Sequence, residues 1–272
     1  HTLNEVEKSE QELKLESLGD SLQKLVHSNE EKLAQFKDII ERVDFDITFQ
    51  PIMNIKTKEA DHYETLSHFR QGDIGDWVKF GEDAGISDLL DLAVTERTMN
   101  YVNYKASETR TIFSIKVSNK SIEQAGFLDA FEEQLLKREY SHRIMLEISN
   151  SAHIQNLQKI TDFVQKFSEA GYKIGLDDFS PSPALLKYLQ HMPISFVKVD
   201  GRYISKLLDS EKIQQQIEKL AHACKRRNVL TIAKHVEEQA QEDILKKLGI
   251  DYAQGFLYGK AAANPSFIPP SK

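Results

Sequence analysis

The chain has 272 residues, a formal charge of −7 and a pI near 5.8. That length suits one large domain with an appendage or two small domains, and the acidic balance argues against long nucleic acid or an anionic membrane as partner. Hydrophobic residues, at 40%, suffice for a substantial core, and 28% charged residues is ordinary for a soluble protein.

Residues 1–43 are highly charged, contain no proline and only Gly19, and carry apolar side chains at heptad-like spacing. Leu15, Leu18, Leu22 and Leu25 step by three and four, Asn29 takes the next seam position, and Leu33, Phe36, Ile40 and Val43 resume the pattern after a stutter. This predicts a long helix, either one strand of a two-stranded coiled coil or an amphipathic helix lying on its own domain. In either case it connects rather than catalyses.

From residue 44 to 272 the texture is that of a second, larger domain. Ile47–Asn54 and His62–His68 read as strands joined by a hairpin-length turn, Ile55–Asp61. A long amphipathic stretch, Ile86–Lys105, follows. Then come strand Thr111–Val117, helix Ser121–Arg138, strand Ile144–Ile148 and helix Ala152–Ala170. Lys173–Phe179, Pro183–His191 and Ser195–Asp200 read as strand, short helix and strand. Tyr203–Arg227 is helical, Val229–Ala233 a strand, Glu237–Leu248 a helix and Tyr252–Gly259 the last strand. Eight strands, the last seven alternating with helices over about 225 residues, fit a TIM-like (β/α)8 barrel better than an open doubly wound sheet.

Barrels of this type gather functional residues where strands run into the following loops. Those positions hold Glu64, Asn119, Glu147, Asp177 with Asp178, Lys198, Lys234 and Gln254. So oxygen-rich a set suits Mg²⁺ or Mn²⁺, and paired metals are the usual device for phosphodiester hydrolysis. Individually such residues are as often capping groups or structural ion pairs; the case rests on seven strand ends taken together. Lys198, amid Phe196, Val197 and Val199, needs an anionic partner to stay charged. The nine histidines form no H-E-x-x-H, and His62, His68 and His142 read as surface or wall residues. There is no G-x-S-x-G or P-loop, and Trp77 reads as core. The single cysteine, Cys224, offers neither a disulfide framework nor a zinc ligand set and favours a reduced, cytoplasmic setting. No run approaches the ~18 apolar residues of a membrane span, and no signal-peptide pattern shows. The sequence opens on His1 rather than Met, so membrane attachment is expected only through a segment outside it.

At this point the motifs resemble the EAL family of cyclic di-GMP phosphodiesterases. The match runs from about Phe45 to Lys260. The family's Q-P-I appears as Gln50-Pro51-Ile52, its E-A-L as Glu64-Thr65-Leu66, its N-x-S as Asn119-Lys120-Ser121 and its E-x-T-E-S as Glu147-Ile148-Ser149-Asn150-Ser151. L-D-D-F is Leu176–Phe179, the K-I-D lysine is Lys198, and Q-G-Y is Gln254-Gly255-Phe256. The resemblance implies a barrel whose first strand runs antiparallel to the rest. It also implies a first-metal set of Glu64, Asn119, Glu147 and Asp177, with Asp178, Lys198 and Glu237 near it.

The departures decide the expected function. In active members an E-G-V-E stretch supplies a carboxylate to the second metal; here it is Lys234-His235-Val236-Glu237. Reversing one charge beside a divalent ion removes an attraction and adds a repulsion, each of order ~4 kcal/mol at ~4 Å and an effective dielectric near 20. The G-T-G that follows the paired acids is replaced by Ser180-Pro181-Ser182-Pro183, Asn150 stands for the loop-anchoring glutamate, and His68 for the arginine of E-A-L-L-R. The resemblance therefore implies a degenerate domain in which Glu64 and Lys198 are vestigial and no cofactor is required, with room for one Mg²⁺ or Mn²⁺. It is expected to act as a cyclic di-GMP receptor lined by Gln50, Glu64, Leu66, Asn119, Asp177, Asp178, Lys198, Lys234, Glu237 and Gln254. Lys234 then either meets a phosphate oxygen directly, as a built-in cation, or simply pairs with Glu237 or Asp178. A homodimer and an unidentified protein partner are expected. The alternatives are a slow metal-dependent phosphodiesterase and an interaction scaffold that has lost its ligand.

Overall fold

The computed structural model describes residues 2–70, 72–105, 110–136, 141–149, 154–180 and 189–265, with residues 2–21 described by their backbone course. Two compact units emerge, His1–Asp44 and Phe45–Lys272. The first is one helix, α1 (Thr2–Glu41), about 60 Å long at 1.5 Å per residue. Phe36 and Ile39 are its buried side chains, while Leu22, Leu25 and Val26 are exposed. The seam positions Leu15 and Leu18 fall among residues without described side chains. Val43 lies past the helix end, at a φ of 53°.

The second unit is a closed barrel of eight strands in sequence order. They are β1 (Phe45–Asn54), β2 (Ala60–Phe69), β3 (Phe113–Ser118), β4 (Ile144–Ser149), β5 (Lys173–Phe179), β6 (Phe196–Val199), β7 (Leu230–Ala233) and β8 (Tyr252–Ala253). β1 is antiparallel to both neighbours, β2 and β8, and every other pairing is parallel. The TIM-like barrel with a reversed first strand is therefore the fold. A hairpin explains the reversal: β1 and β2 are joined by a short turn, which can only return the chain antiparallel, whereas each later strand follows a crossover.

The outward faces of the strands are mostly apolar, with Thr65 and Thr231 as buried polar exceptions. Phe113, Ile115, Val117, Leu146, Ile148, Ile174, Leu176, Val197 and Val199 are buried and belong to the main core beneath the helices. On the helix side that core is aromatic, with Phe131, Phe163 and Phe167 in mutual ring contact at centroid separations of 4.7–5.8 Å. Inside the barrel a smaller cluster of Ile52, Met145, Phe196 and Ile232 closes the floor. β5 contributes Gly175 at this level because the Phe196 ring occupies the space: a Cβ there would stand 2.2 Å from the ring.

Helix boundaries differ from the sequence reading in informative ways. The stretch before Ile86 holds an additional helix, α2 (Ile74–Ala84), hidden by Gly75 and Gly81. Asp73 caps its start, accepting from the amide of Gly75 at 2.7 Å, and Gly85 ends it at a φ of 71°. α3 (Ser87–Tyr104) matches the amphipathic stretch. The predicted helix Ser121–Arg138 is two, α4 (Asn119–Glu123) and α5 (Phe127–Leu136), separated at Gly126 with its φ of 81°. α6 (Leu157–Glu169) starts later than predicted, capped by Asn156, and the predicted start at Ala152 lies outside the described residues. The predicted helix Tyr203–Arg227 divides into α7 (Gly201–Ile204) and α8 (Glu211–Lys225), the latter capped by Ser210. α9 (Gln239–Leu248) ends at Gly249. Of the predicted helix Pro183–His191, only Leu189–His191 is described, and it is helical. β8 is far shorter than the predicted strand, because the chain turns at once after Ala253: the Leu257 amide bonds the Val236 carbonyl at 3.1 Å. No described helix is long and apolar enough to cross a membrane.

Candidate functional site

Side chains alternate across a strand, so two residues beyond each floor position another side chain points into the barrel. At this upper level the eight strands or their exits supply Gln50, Glu64, Lys116, Glu147, Asp177, Lys198, Lys234 and Gln254. The layer thus holds three carboxylates, three lysines and two amides. Strand register sets Glu64 beside Gln50 and Lys116 directly across from Glu147.

The charged groups form a continuous chain of alternating sign. Lys234 Nζ donates to Asp178 Oδ1 at 2.5 Å and to Asp177 Oδ1 at 2.7 Å. Lys116 Nζ is ion-paired with Asp177 Oδ2 at 3.1 Å and with Glu64 Oε1 at 2.7 Å. Lys198 Nζ, fully buried, donates to Glu64 Oε2 at 2.8 Å and to Glu147 Oε2 at 2.9 Å. Gln254 closes the ring, donating from Nε2 to Glu64 Oε2 and to Gln50 Oε1, the latter at 3.0 Å.

Burial alone would drive these groups to their neutral forms, and the pairing reverses that. For Glu64 the desolvation that raises a buried acid is outweighed by Lys116 and then Lys198, so its carboxyl stays well below the usual range. Asp177 behaves the same way under Lys116, Lys198 and Lys234. Burial opposes charge on Lys198, yet Glu147 and Glu64 push it up to about 12. Lys116 is likewise held well above an ordinary lysine, burial being overcome by Asp177 and Glu64. All three ammonium groups are therefore accounted for by partners within the layer.

A cavity of about 210 Å³ opens above this layer, lined by Gln50, Glu64, Leu66, Lys116, Lys234, Glu237, Gln254 and, at the rim, His235, Gly255 and Phe256. Two of the mouth residues hold backbones that L-residues adopt only at a cost of ~1–3 kcal/mol, Asp178 at a φ of 50° and His235 at 56°. The Asp178 amide bonds back to Asp177 Oδ1 at 2.7 Å, which with Lys234 fixes the bend. Gly255 lets the β8 exit lie against the backbone after β7, where any Cβ would be 2.0 Å from the Val236 carbonyl oxygen.

Glu64, Glu147 and Asp177 offer one oxygen each within 4.8 Å of one another, the right grouping for a divalent cation. Their oxygens, however, are committed. Of the six, five lie against a lysine ammonium and only Glu147 Oε1 has no hydrogen bond or ion pair among the described residues, whereas a hard divalent ion takes six or more oxygens, several of them anionic. The side chains as they stand do not fit Mg²⁺ or Mn²⁺.

Of the residues singled out in the sequence, Gln50, Glu64, Leu66, Lys234, Glu237 and Gln254 line the cavity, and Glu147, Asp177 and Lys198 lie in the layer below it. Asp178 is half-exposed beside them. Lys234 pairs with Asp178 and Asp177, one of the two partners weighed for it. Asn119 opens α4, past the end of β3; the β3 residue that the ion pairs bring to the acids is Lys116, which the sequence reading missed. Strand parity could have found it, since Ser114, Lys116 and Ser118 are the polar face of β3, but the N-x-S motif drew attention beyond the strand. His62 is a wall residue, buried beside the floor and bonded to Asp61 Oδ2 at 2.8 Å. Asn150, Pro181, Ser182 and Pro183 lie outside the described residues.

The sequence model of the family described as "EAL domain" matches residues 33–261. Among curated proteins, the cyclic di-GMP phosphodiesterase PdeA of Borreliella burgdorferi is 33% identical over 176 residues, covering 62% of this chain and 25% of PdeA. The cyclic di-GMP phosphodiesterase PdeF of Escherichia coli is 26% identical over 186 residues, covering 68% of this chain and 25% of PdeF. The chain thus spans about a quarter of the length of these relatives. Among solved structures, the FimX EAL domain of Xanthomonas citri in complex with c-diGMP superposes with a TM-score of 0.79 at 19% identity, over 89% of this chain and 98% of that one. The FimX EAL domain from Pseudomonas aeruginosa bound to c-di-GMP gives 0.75 at 20% identity, over 87% and 98%.

Proposed function

The chain belongs to the EAL domain family, and from that premise we propose that it is a cyclic di-GMP receptor with little or no hydrolytic activity. The observation that carries this reading is Lys234, an ammonium bonded to both Asp177 and Asp178 where hydrolysis by two metals calls for an anion. The relatives named cyclic di-GMP phosphodiesterases and the neighbours solved with the dinucleotide support the ligand class. The cavity supports it too: it is sized for phosphate and ribose groups, with Lys116 and Lys234 at its base and Phe256, 60% exposed at its rim, able to stack on a base. No metal cofactor is required. Gln50, Glu64, Leu66, Lys234, Glu237 and Gln254 contact the ligand, with Asp177, Asp178 and Lys198 behind them and Asn119 at the α4 start.

Occupancy is passed to a protein partner or to α1. Leu22, Leu25 and Val26 form an exposed apolar strip on that helix, which suits a coiled-coil homodimer. The setting is cytoplasmic. Calorimetry with cyclic di-GMP in EDTA, run alongside a hydrolysis assay in Mn²⁺, tests the reading. Binding tighter than ~100 μM without turnover is expected. Linear dinucleotide product that disappears in Glu64→Ala would instead identify a slow phosphodiesterase, and neither binding nor turnover would leave an interaction scaffold.

A further inference from the structure

The acid cluster that resembles a metal centre raises a question independent of the ligand: what neutralises it. Three carboxylates lie within 4.8 Å of one another in a layer closed off from water below. Such a group must take up cations or protons, because like charges at that spacing cannot all stay ionised unaided. A divalent ion and a set of lysines are alternative answers. Lys198 serves one side of the cluster, donating to Glu64 and Glu147. Lys234 reaches Asp177 from the rim side and pairs outward with Asp178. Lys116 is the group that joins the two halves, its ammonium lodged between Glu64 and Asp177.

We propose that Lys116 is the resident cation of this barrel: its ammonium takes the ground between Glu64 and Asp177 that a divalent ion would need, and the carboxylate layer therefore excludes Mg²⁺ and Mn²⁺. Three ammonium groups already face the three carboxylates, so an arriving ion would meet their repulsion. It would also have to displace an ammonium whose side chain, 37% exposed, is anchored on both sides. Exclusion of a metal by Lys116 is independent of which nucleotide the cavity takes.

The test is direct titration of the full chain with Mn²⁺, reading the free-ion signal by electron paramagnetic resonance, together with the Mn²⁺ dependence of the melting temperature. The unmodified protein is expected to leave free Mn²⁺ unchanged to about millimolar concentration and to show no melting shift. Lys116→Asn exchanges the ammonium for an oxygen ligand, and Lys116→Asn/Lys234→Glu also restores an anion. Affinity for Mn²⁺ should rise by about tenfold or more at each step, as one repulsion and then a second is removed. Lys116→Gln serves as a second variant should the asparagine fail to fold. Stoichiometric Mn²⁺ uptake by the unmodified chain would overturn the proposal, as would folded Lys116 variants that take up no more Mn²⁺ than the parent.

Discussion

Replacing Lys198 by methionine keeps the length of the side chain and removes its charge. Glu147 then has no other ion pair among the described residues, and Glu64 keeps Lys116 and Gln254. Breaking a buried pair from one side typically costs about 3–5 kcal/mol, because the remaining charge is stranded in a low-dielectric interior. For a domain of this size, where each kcal/mol moves the melting temperature by ~2–4 °C, the expected drop is about 6–20 °C. The sign of the pH dependence is fixed by the direction of each shift. Glu64 is depressed in the folded state, so its contribution is present above the unfolded value near ~4.3 and is lost as pH falls through the folded value. Lys198 is raised to about 12, so its contribution is present below the unfolded lysine value and is lost as pH climbs through about 12. Lys198→Met removes one of the two ammonium groups that hold Glu64 down, so the deficit relative to the parent should be full above ~4.3 and shrink as pH falls below it. Urea unfolding of both proteins across that range, followed by circular dichroism, measures it. A deficit under ~1 kcal/mol at pH 8, or one that is the same at pH 8 and at about pH 3, would refute the idea that the layer is held by its alternating charges.

Two further outcomes check the barrel itself. Gly175→Ala places a methyl 2.2 Å from the Phe196 ring, and overpacking of this kind should lower stability by about 1–3 kcal/mol in the same urea assay, while Phe196→Leu in the same chain should recover part of the loss. Cys224 is fully buried and its thiol is pushed up to about 12 by burial and Asp251, so a thiol reagent at pH 8 should label it only when the barrel unfolds, at a rate that tracks the unfolded fraction.

The barrel was legible because its signals are local. Apolar side chains at alternate positions, Phe113, Ile115 and Val117 in β3 and Ile144, Leu146 and Ile148 in β4, announce strands buried on their outer faces, and the hairpin-length turn between β1 and β2 agrees with the reversed strand that the family resemblance implied. Helix ends were less legible. α2 was missed because two glycines masked a helix that Asp73 and Gly85 delimit, and the last strand was overextended because nothing local says that the chain must turn after Ala253 to meet Val236.

For the site, the sequence by itself determined most of the acids, amides and lysines at strand exits, Lys116 excepted, and its resemblance to the family set the ammonium at position 234 at odds with two-metal chemistry. Only the closed barrel decided who pairs with whom. Lys198 and Glu64 are 134 residues apart, Lys234 and Asp177 are 57 apart, and Lys116 meets both acids because the register of β3 against β4 and the closure of the ring bring them to one level. Strand parity can be read along a chain, but the sum of charges in a buried layer is a property of eight strands at once, and that sum determines whether the carboxylates hold lysines or a metal.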